Sequence, residues 1–276
     1  VRVNANGSID NTFSGIGWIS QEAGPETDEV FDIVVQPNGA ILVTGFGEDD
    51  GLSYAYPFAL RYTAAGTPDN TFDTDGVLNI SNTTNFLSLG QTQLVSGDKI
   101  MLSGIYKNPS GVYGFALCRL NSNGSFDAGF GLNGIAAAPV PAHPQLGTAM
   151  VQQSDGKFLV TGFQSNGIFF QPTLYRTLST GMPDNTFDGD GIAVFSFTND
   201  PGADISSAIA MLPGDLFVVG GNYKRGLETG GYIAKYTAGG TLDNSFGING
   251  VAYLSTGFSS SVESVVVQPD GKILIC

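Results

Sequence analysis

Short apolar runs rich in β-branched and aromatic residues recur along the chain and alternate with polar turns. The first full unit contains four such runs, at Ile33–Val35, Ile41–Gly45, Phe58–Tyr62 and Gly76–Ile80. Asn38-Gly39 separates the first two runs, and this dipeptide is typical of a tight β-hairpin. Because no stretch keeps a 3.6-residue apolar period, the pattern predicts four strands per unit and almost no α-helix.

One sequence frame occurs five times, at steps of 57 to 59 residues. A basic residue is followed by Gly five positions later, Asp after three more, Phe after three more and a second Gly after four more. The basic residues are Arg2, Arg61, Arg119, Arg176 and Lys235; the aspartates are Asp10, Asp69, Asp127, Asp184 and Asp243; the phenylalanines are Phe13, Phe72, Phe130, Phe187 and Phe246. A period of this size is typical of propellers, solenoids and arrays.

Four short antiparallel strands in each of five units predict a β-propeller of five four-stranded blades, forming one domain over residues 1–276. The repeat frames start near residues 2, 61, 119, 176 and 235. The chain begins in a third strand (residues 2–4) and ends in a second strand (residues 272–275), so both termini are expected to build the last blade together. We also expect the chain to be a piece of a longer polypeptide, which could close at six or seven blades.

The repeated polar residues have a structural interpretation. Each Asp is expected to accept backbone N–H groups of the turn after the third strand, as Asp does in Asx-turns. The basic residue pairs with that Asp, and the Phe packs between blades. The alternative is a ring of five binding sites.

The frame, together with the segment from Gln268 to Leu274 (QPDGKIL), resembles the bacterial delta-60 repeat family. The resemblance covers nearly the whole chain. It implies a secreted or cell-surface bacterial protein of β-propeller type, often one part of a longer polypeptide and commonly a type IX secretion cargo. It implies no shared catalytic chemistry or ligand.

Charge and composition exclude several classes of function. The net charge of −14 argues against nucleic acids and anionic membranes as partners. No apolar run approaches the ~18 residues of a membrane-spanning helix. His143 is the single histidine and lies in a proline-rich loop, so a histidine-dependent nucleophile is not expected. Cys118 and Cys276 fall in different blades, and no disulfide is expected between them.

The segments after the second strand of each unit differ from one another, whereas the turns at the opposite end are repeated. We therefore expect recognition on a variable-loop face, because loops on rigid scaffolds carry function. Its binding candidates are Tyr54, Tyr56, Tyr106, Tyr113, Phe169, Phe170, Tyr223, Asp49 and Asp50. Flat aromatic area suits protein or sugar contacts. The alternative is that several of these rings fold back onto their own blades.

Two acidic pairs, Asp73 with Asp75 and Asp188 with Asp190, stand before glycines and resemble part of a calcium loop. Calcium is the only cofactor considered, and turn formation is the alternative role of these four residues. A propeller glycosidase would need two facing carboxylates. Asp32, Asp204 and Glu263 lie near the entry of a first strand in three blades.

The predicted function is a non-catalytic, secreted or surface-bound binding or assembly module that engages a protein partner. The alternatives are a lectin-like carbohydrate-binding adhesin module and, more distantly, a propeller glycosidase. Neither nucleic-acid binding nor membrane insertion is expected.

Overall fold

The computed structural model describes residues 1–23, 27–49, 54–80, 86–108, 110–138, 145–195, 204–226, 228–254 and 260–276. These residues form eighteen β-strands and a single 3₁₀ turn at Pro213–Asp215, with no α-helix among them. The all-β prediction is therefore confirmed for the described part of the chain. No helix in that part is long and apolar enough to cross a membrane.

The strands form four sheets of four antiparallel strands and one sheet of two. The strands are β1 Asp28–Val35, β2 Ile41–Asp49, β3 Tyr54–Tyr62, β4 Val77–Asn79, β5 Phe86–Val95, β6 Lys99–Lys107, β7 Tyr113–Leu120, β8 Ile135–Ala137, β9 Gln145–Gln152, β10 Phe158–Ser165, β11 Phe170–Thr177, β12 Ile192–Val194, β13 Ile205–Met211, β14 Phe217–Arg225, β15 Glu228–Tyr236, β16 Val251–Leu254, β17 Val265–Val267 and β18 Ile273–Ile275. Each four-stranded sheet keeps its strands in chain order. The two-stranded sheet pairs β17 with β18. Closure of a last blade by both termini remains a prediction.

The chain divides into two compact units, residues 1–102 with 118–127, and residues 103–117 with 128–276. Within the first unit, β5 packs against β1, β2 and β3. Within the second unit, β13 lies against β9, β10 and β11 on one side and contacts β17 on the other. First strands therefore pack against the preceding sheet inside each unit.

The hairpins between second and third strands are longer than the sequence pattern predicts. β2 and β3 stay in register out to Asp49 and Tyr54, and β14 and β15 out to Arg225 and Glu228. Segments predicted as variable loops are therefore largely the outer ends of paired strands. In both hairpins a Gly faces a Tyr across the strands.

The repeated frame is an ion pair built around an Asx-turn. All five basic residues contact the Asp of their own frame, at 2.6 to 2.8 Å. In the second frame, Asp69 Oδ1 also accepts the Thr71 N–H at 3.0 Å and its hydroxyl at 2.7 Å. Arg61 continues to the next repeat, where its Nη1 donates to the Ser122 carbonyl. The structural interpretation of the frame is confirmed.

The phenylalanine of one frame packs under the first glycine of the next. A Cβ on Gly66 would stand 2.7 Å from the Phe13 ring, and a Cβ on Gly240 would stand 2.0 Å from the Phe187 ring. These glycines also have φ of +85° and +91°. Both constraints require glycine, which explains why this position repeats.

Gly240→Ala should destabilise the protein much more than Gly189→Ala, although both glycines have φ of +91°. A Cβ at Gly189 meets no atom within 4 Å, so it adds only the backbone penalty, about 1–2 kcal/mol. The Cβ at Gly240 also displaces Phe187, and overpacking costs typically a further ~1–3 kcal/mol. Urea unfolding of the two variants measures the difference. Equal midpoints would show that the Phe–Gly contact does not constrain the fold.

Acid should weaken the frame through Asp243, whose pKa is lowered to about 2 by hydrogen bonds from Lys235 and Ser245. Because the folded-state value lies below the ordinary 3.8, this group's contribution to stability is complete above pH ~4 and is lost as the pH falls toward 2. Asp243→Asn should lower the melting temperature at pH 7 and flatten its fall between pH 4 and 2. A carboxyl titration by NMR should show the pKa of Asp243 rising in Lys235→Met. An unchanged value would refute the ion-pair assignment.

Candidate functional site

A cluster of one carboxylic acid, one guanidinium and three tyrosines occupies the outer end of the sheet β13–β16, in the second unit. Its members are Asp204, Tyr223, Arg225, Tyr232 and Tyr253. Asp204 directly precedes β13, and the other four come from β14, β15 and β16. Three strands and one strand entry therefore supply the cluster.

Strand register places these side chains on one face of the sheet. Tyr232 pairs with Gly221 on one side and with Tyr253 on the other, while Tyr223 pairs with Gly230. Cross-strand partners share a face, so the two glycines leave room for the tyrosine rings. A Cβ on Gly230 would stand 2.9 Å from the Tyr223 ring. The same face continues into the apolar core that contains Val219.

Asp204 is almost completely buried, with 4% of its surface exposed. Its Oδ1 accepts the Lys224 backbone N–H at 3.1 Å, and its own N–H donates to the Phe170 carbonyl at 3.2 Å. Burial raises the pKa of Asp204 above the ordinary value, against the opposing effects of the Lys224 amide and Arg225. The protein therefore favours the neutral acid at this position.

The tyrosine rings and the Arg225 guanidinium pack together beside Asp204. The Tyr223 and Tyr253 rings meet edge to face with centroids 5.2 Å apart. The Arg225 guanidinium lies 4.0 Å from the Tyr253 centroid and 5.3 Å from the Tyr223 centroid. Burial raises the pKa of Tyr232 well above 10, and the nearby Asp204 charge adds to that rise.

A second carboxylate, that of Glu228, lies on the solvent side of this cluster. Glu228 is exposed and accepts the Tyr223 hydroxyl through Oε1 at 3.0 Å. It pairs with Arg225 across the β14–β15 hairpin. The arrangement combines a buried acid, an exposed carboxylate, aromatic surfaces and one cation. Among the described residues, Arg225 Nε is buried without a hydrogen-bond partner.

The first sheet carries a partial counterpart in the first unit. Asp28 occupies the register position of Asp204, and it pairs with Gly47, which in turn faces Tyr56. Asp28 Oδ2 accepts the Ala23 N–H at 2.7 Å, while its Oδ1 is buried and without a partner among the described residues. The Tyr and Gly have exchanged strands relative to Tyr223 and Gly230. A Cβ on Gly47 would stand 2.4 Å from Tyr56 and 2.6 Å from Asp28 Oδ1.

Two of the aromatic residues predicted for an exposed face are buried, which corrects that expectation. Tyr56 is 8% exposed and Tyr223 only 2%, because each ring folds over the glycine opposite it. Tyr113 and Phe170 are exposed, and Phe170 meets Phe163 edge to face at 5.1 Å. Half-buried positions are taken by Tyr106 and Phe169.

Several predicted residues give no side-chain information. Asp49 and Tyr54 are opposite one another at the ends of β2 and β3, where the structure describes only the strand backbone. Asp50 and His143 lie outside the described residues.

The predicted calcium residues act in turns. Asp75 Oδ1 accepts the Val77 N–H and Asp190 Oδ1 accepts the Ile192 N–H, each at 2.9 Å. Asp73 and Asp188 adopt φ of +46° and +50° at the preceding bends. Within the described residues, no group of three or more His, Cys, Asp or Glu could hold a metal. Calcium binding remains a prediction.

The three carboxylates proposed for catalysis from sequence have different local surroundings. Asp32 Oδ2 accepts the Thr92 N–H at 2.8 Å, and its Oδ1 accepts the Ile33 N–H at the same distance. Glu263 is exposed and accepts the Ser261 hydroxyl at 2.5 Å. Only Asp204 lies in a cluster of titratable and aromatic groups. Sequence reasoning did not identify Arg225, Tyr232 and Tyr253 as site residues. The signal that could have indicated them is the spacing of Gly and Tyr along β14 and β15.

Comparison with protein families gives one match, to the family described as "Domain of unknown function (DUF5122) beta-propeller", over residues 98–130 and 216–246. Each matched segment contains a second strand, a third strand and a repeat frame as far as its Phe. The chain is an all-β protein of the β-propeller class. Curated proteins give no match.

Solved structures agree on the propeller fold. The α-L-arabinanase of Penicillium chrysogenum, in complex with arabinobiose, matches with a TM-score of 0.50 and 14% identity, over 88% of this chain and 73% of that one. The GH93 α-L-arabinofuranosidase of Fusarium graminearum, also with arabinobiose, matches with a TM-score of 0.52 and 10% identity, over 90% and 74%. At such identities the likeness establishes the fold alone.

These matches correct the functional expectation drawn from sequence. The prediction of a non-enzymatic module that binds a protein partner is contradicted, because the solved propellers that this chain resembles are named as an α-L-arabinanase and an α-L-arabinofuranosidase. Sequence reasoning gives a glycosidase only as the more distant alternative, because Asp32, Asp204 and Glu263 lie in three different blades. It could not detect a site assembled from one strand entry and three neighbouring strands.

Asp204→Asn should stabilise the protein at neutral pH. The folded state raises the pKa of Asp204 above 3.8, so this group's favourable contribution is present at low pH and is lost as the pH rises through the folded-state value. Asparagine keeps an oxygen for the Lys224 amide and carries no charge to desolvate. Thermal melts from pH 4 to 8 should show a higher melting temperature for the variant at the alkaline end and a flatter profile. A lower melting temperature throughout would disprove the desolvated-acid assignment.

Proposed function

We propose that this propeller is a glycoside hydrolase and that Asp204 is its proton donor. The observation that carries the proposal is the near-complete burial of Asp204 beside Arg225 and a wall of tyrosines. Burial raises the pKa of Asp204 and so favours its protonated form, and a protonated acid can give its proton to a departing glycosidic oxygen. Tyr253 is half-buried, and its ring can offer a flat surface against which a sugar ring lies.

Glu228 supplies the second carboxylate that the reaction requires. It is exposed and is linked to Asp204's neighbours through the Tyr223 hydroxyl. In the proposed reaction, Asp204 gives its proton to the leaving oxygen as the bond from that oxygen to the anomeric carbon breaks. Glu228 removes a proton from the attacking water, whose oxygen bonds to the same carbon. One glycoside and one water give two sugars.

The proposed substrate class is an α-L-arabinofuranosyl glycan. Support comes from the fold-level likeness to an α-L-arabinanase and an α-L-arabinofuranosidase, both of which were solved with arabinobiose. The net negative charge of the protein is compatible with a neutral glycan, because it does not repel an uncharged substrate. We further propose membership of the delta-60 repeat family and an extracellular location, where such polysaccharides occur.

Carbohydrate binding without cleavage is the second candidate, and one observation favours it. Only 4% of Asp204 is exposed, and one of its oxygens already accepts the Lys224 amide. A substrate oxygen must reach the remaining oxygen past the tyrosines. If that approach stays closed, the tyrosine surface binds sugar without transferring a proton.

Release of reducing ends from linear and branched arabinan tests the proposal. Asp204→Asn and Glu228→Gln should each lower kcat by at least about 10²-fold, the contribution typical of an acid or base. Asp32→Asn and Glu263→Gln are the matched controls and should leave the rate unchanged, although both were candidates from sequence.

The outcomes separate the two candidates. Hydrolysis lost only in Asp204→Asn and Glu228→Gln supports the hydrolase. Arabinan binding without hydrolysis, weakened by Tyr253→Ala, would replace the hydrolase with a carbohydrate-binding propeller. Hydrolysis that survives Asp204→Asn would refute the assignment of the proton donor.

A further inference from the structure

A polar groove of 440 Å³ lies in the first unit, far in sequence from the Asp204 cluster. It is lined by the β1–β2 turn, the β5–β6 turn and the frames of the second and third repeats, through residues that include Gln36, Pro37, Arg61, Asp98 and Asn123. Ligand pockets typically measure ~300–1,000 Å³, so the groove has room for a sugar ring.

The second unit contains the same pair of turns in a closed form. Asp215 stands in the β13–β14 turn with φ of +59°, as Asp98 stands in the β5–β6 turn with φ of +56°. Asp215 Oδ1 accepts the Ser154 backbone N–H at 2.8 Å, and its Oδ2 accepts the Ser154 hydroxyl. Two donors from one residue therefore satisfy both carboxylate oxygens.

Pro37 takes the place of Ser154 in the first unit. Gln36-Pro37 matches Gln153-Ser154 at the same turn, and proline has neither an N–H nor a hydroxyl. Among the described residues, no donor reaches the Asp98 carboxylate. The groove thus presents both oxygens that Ser154 satisfies in the other unit.

The groove also contains a buried hydrogen-bond acceptor that has no donor among the described residues. Gln36 is 7% exposed, lines the groove, and has an Oε1 without a partner among the described residues. Gln153 has an unpartnered Oε1 as well, so the carboxylate distinguishes the two turns. A ligand for the groove must offer several donors close together.

We propose that this groove binds the vicinal diol of a sugar. In serine, the donating N and Oγ are carried by two adjacent carbons, Cα and Cβ. Two hydroxyls on neighbouring sugar carbons have the same spacing and can donate to both oxygens of Asp98. A further hydroxyl can donate to Gln36 Oε1, and the amide of Asn123 can donate to a sugar oxygen.

A cationic ligand fits the groove less well. The Arg61 guanidinium lines it, and its charge disfavours an ammonium group or a metal ion beside it. That guanidinium is itself engaged by Asp69 at 2.8 Å and stacks 4.7 Å from the Phe72 centroid. The neutral diol avoids the repulsion and still uses the carboxylate.

This site goes beyond the proposed hydrolase function, because it binds sugar with residues that take no part in cleavage. It would hold a glycan on a part of the protein built from the repeated turns, where the sequence pattern predicted no recognition. If the protein does not hydrolyse arabinan, the proposed sugar binding in the groove still stands. If no sugar binds in the groove, the proposed hydrolase activity still stands.

The test uses methyl α-L-arabinofuranoside, methyl α-D-mannopyranoside and methyl β-D-galactopyranoside as probes, with deoxy analogues that each lack one hydroxyl of the diol. Chemical-shift titrations on the whole chain should give millimolar binding of at least one probe and weaker binding of its deoxy analogue. Pro37→Ser should lower that affinity at least about tenfold, because serine would engage Asp98 as Ser154 engages Asp215.

Asp98→Asn removes the charge without the new serine and should weaken binding to a similar extent. Asparagine tolerates the positive φ of this turn, so the variant should fold. Asp215→Asn is the control and should bind the probe as the wild type does, because Ser154 already engages the Asp215 carboxylate. Absence of binding for all three probes at tens of millimolar, or binding unchanged in both Pro37→Ser and Asp98→Asn, would overturn the proposal.

Discussion

The contact on which this structure depends is the one between the Asp, the basic residue and the Phe of a frame and the loop of the next repeat. Within the first unit, Arg61 holds Asp69, stacks on Phe72 and donates to the Ser122 carbonyl. Phe72 lies against Gly124, where a Cβ would stand 3.1 Å from the ring. Each repeat therefore orders the next, and no single repeat can bury its own frame.

This constraint explains which residues vary. Residues of the frame contact the neighbouring repeat and keep their type, whereas the outer strand ends carry different residues in different repeats. Those ends can exchange a Tyr and a Gly between strands, as Gly47 with Tyr56 and Tyr223 with Gly230 show. The ring then fills similar space from either strand.

The sequence predicted the repeated parts of the fold well and the site poorly, for one physical reason. Strand number, the hairpin at Asn38-Gly39 and the pairing of Arg61 with Asp69 follow from local spacing, which the sequence displays directly. The cluster around Asp204 joins a strand entry to β14, β15 and β16. Its geometry depends on register across three strands, and a one-residue slip would move Tyr232 and Tyr253 to the other face. Tyr56 and Tyr223 misled the prediction because their rings turn onto glycines that only the register identifies.

The two proposed sites differ in how they arise from repetition. Around Asp204, side chains accumulate on one sheet and bury an acid at an energetic cost, which is typical of sites that tune a pKa. The groove at Asp98 arises because two hydrogen-bond donors are missing. Pro37 occupies the position at which its counterpart Ser154 donates to Asp215 in the second unit. A single substitution in a repeat protein can thus create a binding site, because a fitting ligand must supply the hydrogen-bond donors that the substitution removed. The shape of the missing serine, two donors on adjacent carbons, is therefore a chemical description of the expected ligand.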